Sequence, residues 1–274
     1  MQTFTEYLTE NYPQYHFLLQ KLSNILGEQP EWHHFTKTNL IKIRKGLQQE
    51  LSANSVRTYM SVLKAIFNQV SDEDVMPCQD YNNTLNVKKE ASTAVYLTEK
   101  ETERLLKVKT KNATEEYVLC LYGIQSFTGC RVSDAQKLGS SNMQGDRISY
   151  VSEKSKTEAS IPLSPKVREM VERLERLEPV TEETYRSKIK ELCNRAGITQ
   201  EVKIFKGGKD IVAPKYKLVS THTARRSFAT NLYLRGLDLY SISKLMGHAS
   251  TAMSEHYICC GIRDINDKIR AYFE

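Results

Sequence analysis

Six cysteines, Cys78, Cys120, Cys130, Cys193, Cys259 and Cys260, contain no CxxC pair and no zinc-ligand spacing, which argues against a zinc-ribbon or redox-motif framework. Cys120 and Cys130 sit in apolar surroundings, so the set reads as reduced, mostly buried thiols. No window approaches the ~18 apolar residues that a spanning helix needs. The first residues, MQTFTEYLTENYPQYHF, carry acidic side chains and lack both the basic and the apolar region of a signal peptide. These absences predict a soluble, cytoplasmic protein. No internal repeat, heptad run or low-complexity tract appears, so a solenoid or a coiled coil is not expected. The carboxylates form no cluster of the kind a two-metal nuclease uses. No metal and no other cofactor is expected.

What is present is ordinary in amount and specific in arrangement. A chain of 274 residues with 40% hydrophobic and 26% charged residues has room for two domains with real cores. The net charge of +6 favours a polyanionic partner such as nucleic acid.

Residues 1–90 read as helices joined by short polar turns. The clearest helix covers residues 55–70, where Val56, Tyr59, Val62, Leu63, Ile66, Phe67 and Val70 recur at helical spacing behind Asn54 as N-cap. Its other face bears Arg57, Thr58, Ser61 and Lys64, either a solvated surface or a row of phosphate donors. Periodicity is lost over residues 71–95, which read as a linker. Thr98 and Glu101 then form a capping box that starts a new helix and a second domain, residues 96–274.

Within that domain residues 114–127 are apolar enough for a core helix, broken by Gly129. Residues 147–151 alternate as a strand and pair with Ile161, Pro162 and Leu163 in a hairpin. Ser164 and Pro165 open the next helix, and another runs over residues 182–195 to Gly197. Residues 198–219 suggest a second hairpin turning at Gly207 and Gly208 and studded with Lys203, Lys206, Lys209, Lys215 and Lys217. The fold class expected is mainly α with small β-hairpins, an α+β chain of two domains.

Residues 221–257 concentrate the chemistry: His222 and Arg225 three apart, His248 directly after Gly247, and Tyr257 nine positions later. Upstream stand Arg131, just past the break at Gly129, and Lys154 in the first hairpin. Each alone has a dull explanation as a surface cation, a cap or a core tyrosine. In this order the set resembles the tyrosine recombinases, or phage integrases. The residues that carry the resemblance are Thr128-Gly129-Cys130-Arg131-Val132-Ser133-Asp134, Lys154 ahead of Ile161-Pro162-Leu163, His222-Thr223-Ala224-Arg225, Leu245-Met246-Gly247-His248, and Tyr257.

The resemblance implies a DNA strand transferase in which Arg131, Lys154, His222, Arg225, His248 and Tyr257 are catalytic and Asp134 supports them. It also implies a helical SAM-like core-binding domain over residues 1–90, a linker ending at 91–95 and a catalytic domain over 96–274, closing as a clamp on duplex DNA. Four copies would act on inverted-repeat core sites and pass through a Holliday junction; the C-terminal segment, with Ile262, Ile265, Ile269 and Phe273 as an apolar face, either docks on a neighbouring copy to hold them or packs on its own chain. A separate arm-binding domain is not expected, for want of residues before the first helix.

The residue types suit that chemistry. A phosphodiester in its pentacoordinate transition state needs fixed cations, and each guanidinium supplies a planar fork. Tyr257 is the candidate nucleophile, His222 or His248 the proton acceptor, and Lys154 the acid for the departing 5′ oxygen, with Lys156, two residues on and on the same side of a strand, the alternative. Arg57, Lys64, Lys203, Lys206 and Lys209 are expected to contact DNA phosphates. A type IB topoisomerase-like enzyme and a catalytically silent DNA-binding module remain as alternatives.

Overall fold

The computed structural model describes residues 2–70 and 76–261. The first residues of the expected linker and the apolar set Ile262, Ile265, Ile269 and Phe273 lie outside them. The chain divides into two compact units, residues 1–92 with 205–210, and residues 93–204 with 211–274.

The first unit is helical: α1 (Phe4–Asn11), α2 (His16–Leu26), α3 (Lys37–Glu50), α4 (Ala53–Gln69) and the short α5 (Tyr81–Thr84). Each long helix turns one apolar stripe inward. Leu18 and Leu22 of α2, Leu40, Ile43 and Leu47 of α3, and Met60, Leu63 and Phe67 of α4 meet in one core. Phe35 sits at its centre, 4.5 Å from the Phe4 ring and 5.0 Å from the Phe67 ring.

Two expectations for this unit are corrected. The N-cap of α4 is Ser52, whose Oγ accepts from the Ser55 amide, and not Asn54. Asn54 instead brackets the Glu90 backbone, donating to its carbonyl at 2.9 Å and accepting from its amide at 3.0 Å. The stretch read as linker also begins too early, because Met76, Cys78, Tyr81 and Leu85 are buried in the same core. Four apolar residues scattered among Asp and Asn leave no period to detect.

The second unit opens with α6 (Glu99–Leu106), capped by the Thr98 and Glu101 box. It is built around α7 (Ala113–Thr128), whose Tyr117, Val118, Leu121, Tyr122, Ile124 and Gln125 are all buried. A helix apolar on every side needs neighbours on every side. Gly129 ends α7 at φ +68° with the Phe228 ring packed where a side chain would stand. A one-turn helix α8 (Val132–Ala135) follows.

Strands β1 (Met143–Gln144), β2 (Arg147–Val151) and β3 (Glu158–Pro162) form an antiparallel sheet in that order. Its register pairs Ile148 with Ile161 and Tyr150 with Ala159, so these four face the core together. Then come α9 (Pro165–Leu174), α10 (Glu182–Arg195), the hairpin β4 (Glu201–Lys206) and β5 (Lys209–Pro214), α11 (Lys215–Leu218), α12 (Thr223–Leu234), α13 (Leu239–Leu245) and α14 (Thr251–Glu255). Helices α9, α10 and α12 pack on α7.

Lys215 departs from the row of exposed cations expected around β4 and β5. It is buried, with Nζ 2.6 Å from Glu101 Oε2, and Gln200 also donates to that carboxylate. A buried ammonium needs a buried anion, and Glu101 supplies it.

Candidate active site

The chain leaves α7 at Gly129 and extends through Arg131, the N-cap residue of α8, which sets Asp134 one turn later on the same side. Arg131 Nη1 lies 4.0 Å from Asp134 Oδ2, and between them stands a residue the sequence did not single out. Ser152, fully buried at the end of β2, accepts from Arg131 Nη1 at 2.6 Å and donates to Asp134 Oδ2 at 3.2 Å. Asp134 Oδ1 in turn accepts the Glu153 amide at 3.0 Å. The only signal for Ser152 in the sequence was its place at the strand end, two residues before Lys154.

Arg225 comes from the first turn of α12 and is fully buried. Its Nη1 donates to the Gly129 carbonyl and its Nη2 to the Met246 carbonyl at 2.9 Å. Nη2 also meets His248 Nε2. Among the described residues no carboxylate pairs with Arg225, and its Nε has no partner. A buried cation held by neutral acceptors alone is suited to receive an anion.

A guanidinium has no acceptor atom, so His248 Nε2 must accept, and the ring's proton sits on Nδ1, 2.8 Å from Ser254 Oγ. Burial, followed by the charges of Arg225 and Arg131, pushes the His248 pKa down to about 4. The imidazole is therefore neutral at pH 7. Ser254, buried on α14, was likewise not anticipated.

His222 is the N-cap residue of α12 and is exposed as a whole, but the protein behind its ring and the charges of Arg226 and Arg225 lower its pKa as well. Both imidazoles face Tyr257, with ring centroids 5.2 Å from it for His248 and 6.4 Å for His222. The Arg225 guanidinium lies 5.0 Å from the same ring. Two backbone bonds fix Tyr257 in place: its amide donates to Ser254 O at 2.9 Å, and its carbonyl accepts from Thr230 Oγ1 at 3.1 Å.

Lys154 is exposed in the turn between β2 and β3, and no described contact joins its ammonium to the cluster. Lys156 was expected on a strand beside it. It lies instead in the turn, at φ +53°, because residues 152–157 fold back on themselves through Lys156 N to Ser152 O and Ser152 N to Thr157 O.

Of the residues expected to meet DNA, Arg57, Lys206 and Lys209 are exposed, Lys203 is exposed and has a partner, and Lys64 is half-buried. The hydroxyls of Thr58 and Ser61 donate to Asn54 O and Arg57 O on their own helix, so they are not aimed outward as donors.

A cavity of about 720 Å³ lies elsewhere, among Leu106, Phe127, Met170 and Phe228, and includes none of the six motif residues. Among the described residues no group of His, Cys, Asp or Glu is placed to hold a metal ion, and no helix is long and apolar enough to cross a membrane.

One guanidinium and two imidazoles gathered at a phenol, on a helical unit with a small antiparallel sheet, define a centre for handling an anion beside a tyrosine. Residues 95–259, more than half of the chain, match the model of the phage integrase family, and the chain belongs to that family of DNA-cleaving and rejoining enzymes. The integrase of Haemophilus phage HP1 is 24% identical over 251 residues, an alignment covering 87% of this chain and 69% of the relative. Among solved structures the fold is similar to XerH site-specific recombinase bound to palindromic difH substrate in a post-cleavage complex, with a TM-score of 0.69 at 18% identity over 97% of this chain and 80% of that one. It is also similar to a lambda integrase tetramer bound to a Holliday junction, with a TM-score of 0.65 at 18% identity over 91% of this chain and 71% of that one.

Proposed function

We propose that this chain is a site-specific DNA recombinase that cleaves and rejoins duplex DNA through a covalent 3′-phosphotyrosyl intermediate on Tyr257. The observation that carries the reading is the convergence of Arg225, His248 and His222 on the Tyr257 ring. The scissile phosphate supplies the anion that buried Arg225 lacks, and the guanidinium forks of Arg225 and Arg131 stabilise the extra charge of the pentacoordinate transition state. The Tyr257 oxygen attacks phosphorus as an imidazole takes its proton. The bond to the 5′ oxygen breaks, and Lys154 gives that oxygen a proton. The phosphotyrosine keeps the energy of the broken ester, so a second 5′-hydroxyl reverses the step on a new strand without ATP.

In this reading the helical unit before residue 91 is the core-binding domain, and residues 96–274 are the catalytic domain. Arg57, Lys64, Lys203, Lys206 and Lys209 contact phosphates. The likeness to a tetramer on a Holliday junction supports four copies acting on paired inverted-repeat core sites. The phage relative supports a mobile-element role in a bacterial cytoplasm, at the nucleoid.

The test is a nicked suicide duplex carrying the core site mapped by sequencing the joints that the wild-type chain produces. Wild type is expected to form a denaturation-resistant protein-DNA adduct and Tyr257→Phe none. An adduct that persists in Tyr257→Phe removes the nucleophile from this tyrosine.

A further inference from the structure

Among the described residues Lys154 makes no side-chain hydrogen bond or ion pair, yet the turn that carries it is fastened on both sides. On the near side the Glu153 amide is held by Asp134 Oδ1 at 3.0 Å, the carboxylate that Ser152 links to Arg131. On the far side two hydroxyls reach one backbone oxygen: Ser155 Oγ lies 3.0 Å and Thr157 Oγ1 2.6 Å from the Gly247 carbonyl. Gly247 immediately precedes His248, so this second fastening joins the lysine turn to the histidine loop, about ninety residues away in sequence.

We infer that Ser155 and Thr157 are positioning residues that clamp the Lys154 turn to the Gly247 carbonyl and so deliver the lysine to the leaving oxygen. Each hydroxyl has one proton, and their oxygens are 2.7 Å apart. Either both protons point at the carbonyl or one is relayed through the other, and the carbonyl is bonded in both cases. Gly247 completes the fit, because a Cβ there would stand 3.3 Å from Thr157 Oγ1. The backbone on each side of Lys154 is thus fixed while its long side chain stays free to swing. A proton donor tethered in this way loses little entropy when it engages its target. Neither hydroxyl touches the reacting atoms. Their effect passes entirely through Lys154 and therefore rests on the acid role proposed above.

Misplaced Lys154 matters only when the leaving group needs a proton. The experiment compares cleavage rates of two suicide duplexes of the same core site, one with the natural 5′ oxygen and one with a 5′-bridging sulfur, which leaves as thiolate without protonation. Ser155→Ala/Thr157→Val is expected to slow the oxygen substrate about 10- to 100-fold, part of the roughly 10²–10⁴ that positioned proton transfer supplies, and to cleave the sulfur substrate within about 3-fold of wild type. Restoring one hydroxyl as Ser155→Ala/Thr157→Ser is expected to return most of the oxygen rate. Equal losses on both substrates, or no loss on the oxygen substrate, overturn the clamp. Lys154→Ala is run beside it. If sulfur rescues Lys154→Ala and not the double variant, the clamp alone falls. If sulfur fails to rescue Lys154→Ala, the acid role falls and the clamp with it. Should the double variant not fold, Thr157→Val alone, which removes the shorter of the two bonds to the Gly247 carbonyl, carries the same comparison, with an expected loss of about 10-fold confined to the oxygen substrate.

Discussion

The two motif arginines are built into opposite electrostatic settings. Arg131 is half-buried and shares a hydrogen-bonded circuit with Ser152 and the buried carboxylate of Asp134. Arg225 is fully buried, among described residues without any carboxylate, and leans on two backbone carbonyls and a neutral imidazole. A cation with its own anion is oriented at small cost. One without an anion is costly to bury, and burial lowers its pKa. The difference teaches that the first guanidinium is held in place with an anion of the protein's own, whereas the second has none among the described residues and, in the reaction proposed above, takes its counter-ion from the substrate.

The largest effect expected from breaking this contrast is at Arg225. Arg225→Met is expected to abolish adduct formation, a loss of about 10³-fold or more. It also removes a buried charge that no described carboxylate balances, which is expected to raise stability in urea unfolding if that charge costs more than the donors lost by the Gly129 and Met246 carbonyls. A drop in stability would mean that the carbonyls around Arg225 already compensate its charge.

Acid titration sharpens the comparison from the side of His248. Its folded pKa of about 4 lies below the ordinary 6.5, so between those values the unfolded chain binds a proton that the folded chain refuses. Its contribution is fully present above pH 6.5 and fades as the pH falls towards 4, by on the order of 3 kcal/mol at the limit. Unfolding measured across this range should steepen for wild type and flatten for His248→Gln.

The smaller effect is at the paired arginine. Asp134→Asn keeps the shape but removes the charge that balances Arg131, and is expected to lower stability by about 1–3 kcal/mol, the cost of an impaired buried hydrogen-bond partner. Slower cleavage should accompany it. Unchanged stability would show that Ser152 holds Arg131 without the carboxylate.

What could be read before folding was whatever a few neighbouring residues decide. Thr98 with Glu101, Ser164 with Pro165, and the glycines at 129 and 197 mark helix ends because capping is a matter of one turn of backbone. The strand at residues 147–151 followed from alternation alone. The order of Arg131, Lys154, His222, Arg225, His248 and Tyr257 carried the family resemblance without any coordinates. Errors arose where a residue's role depends on distant chain. Asn54 has a capping side chain, but the Glu90 backbone claims it. Lys215 resembles its exposed neighbours until Glu101 closes over it.

The sequence by itself therefore determined many of the elements, several of their ends and the order of the motif residues, since periodicity, capping and residue chemistry are local. Only the tertiary structure decided that Ser152 links Arg131 to Asp134, that Arg225 rests on the carbonyls of residues 129 and 246, and that Ser155 and Thr157 reach Gly247. Those bonds join a common side chain to a backbone or side-chain atom far along the chain. Nothing in a serine's neighbours says which distant oxygen the fold will bring within 3 Å.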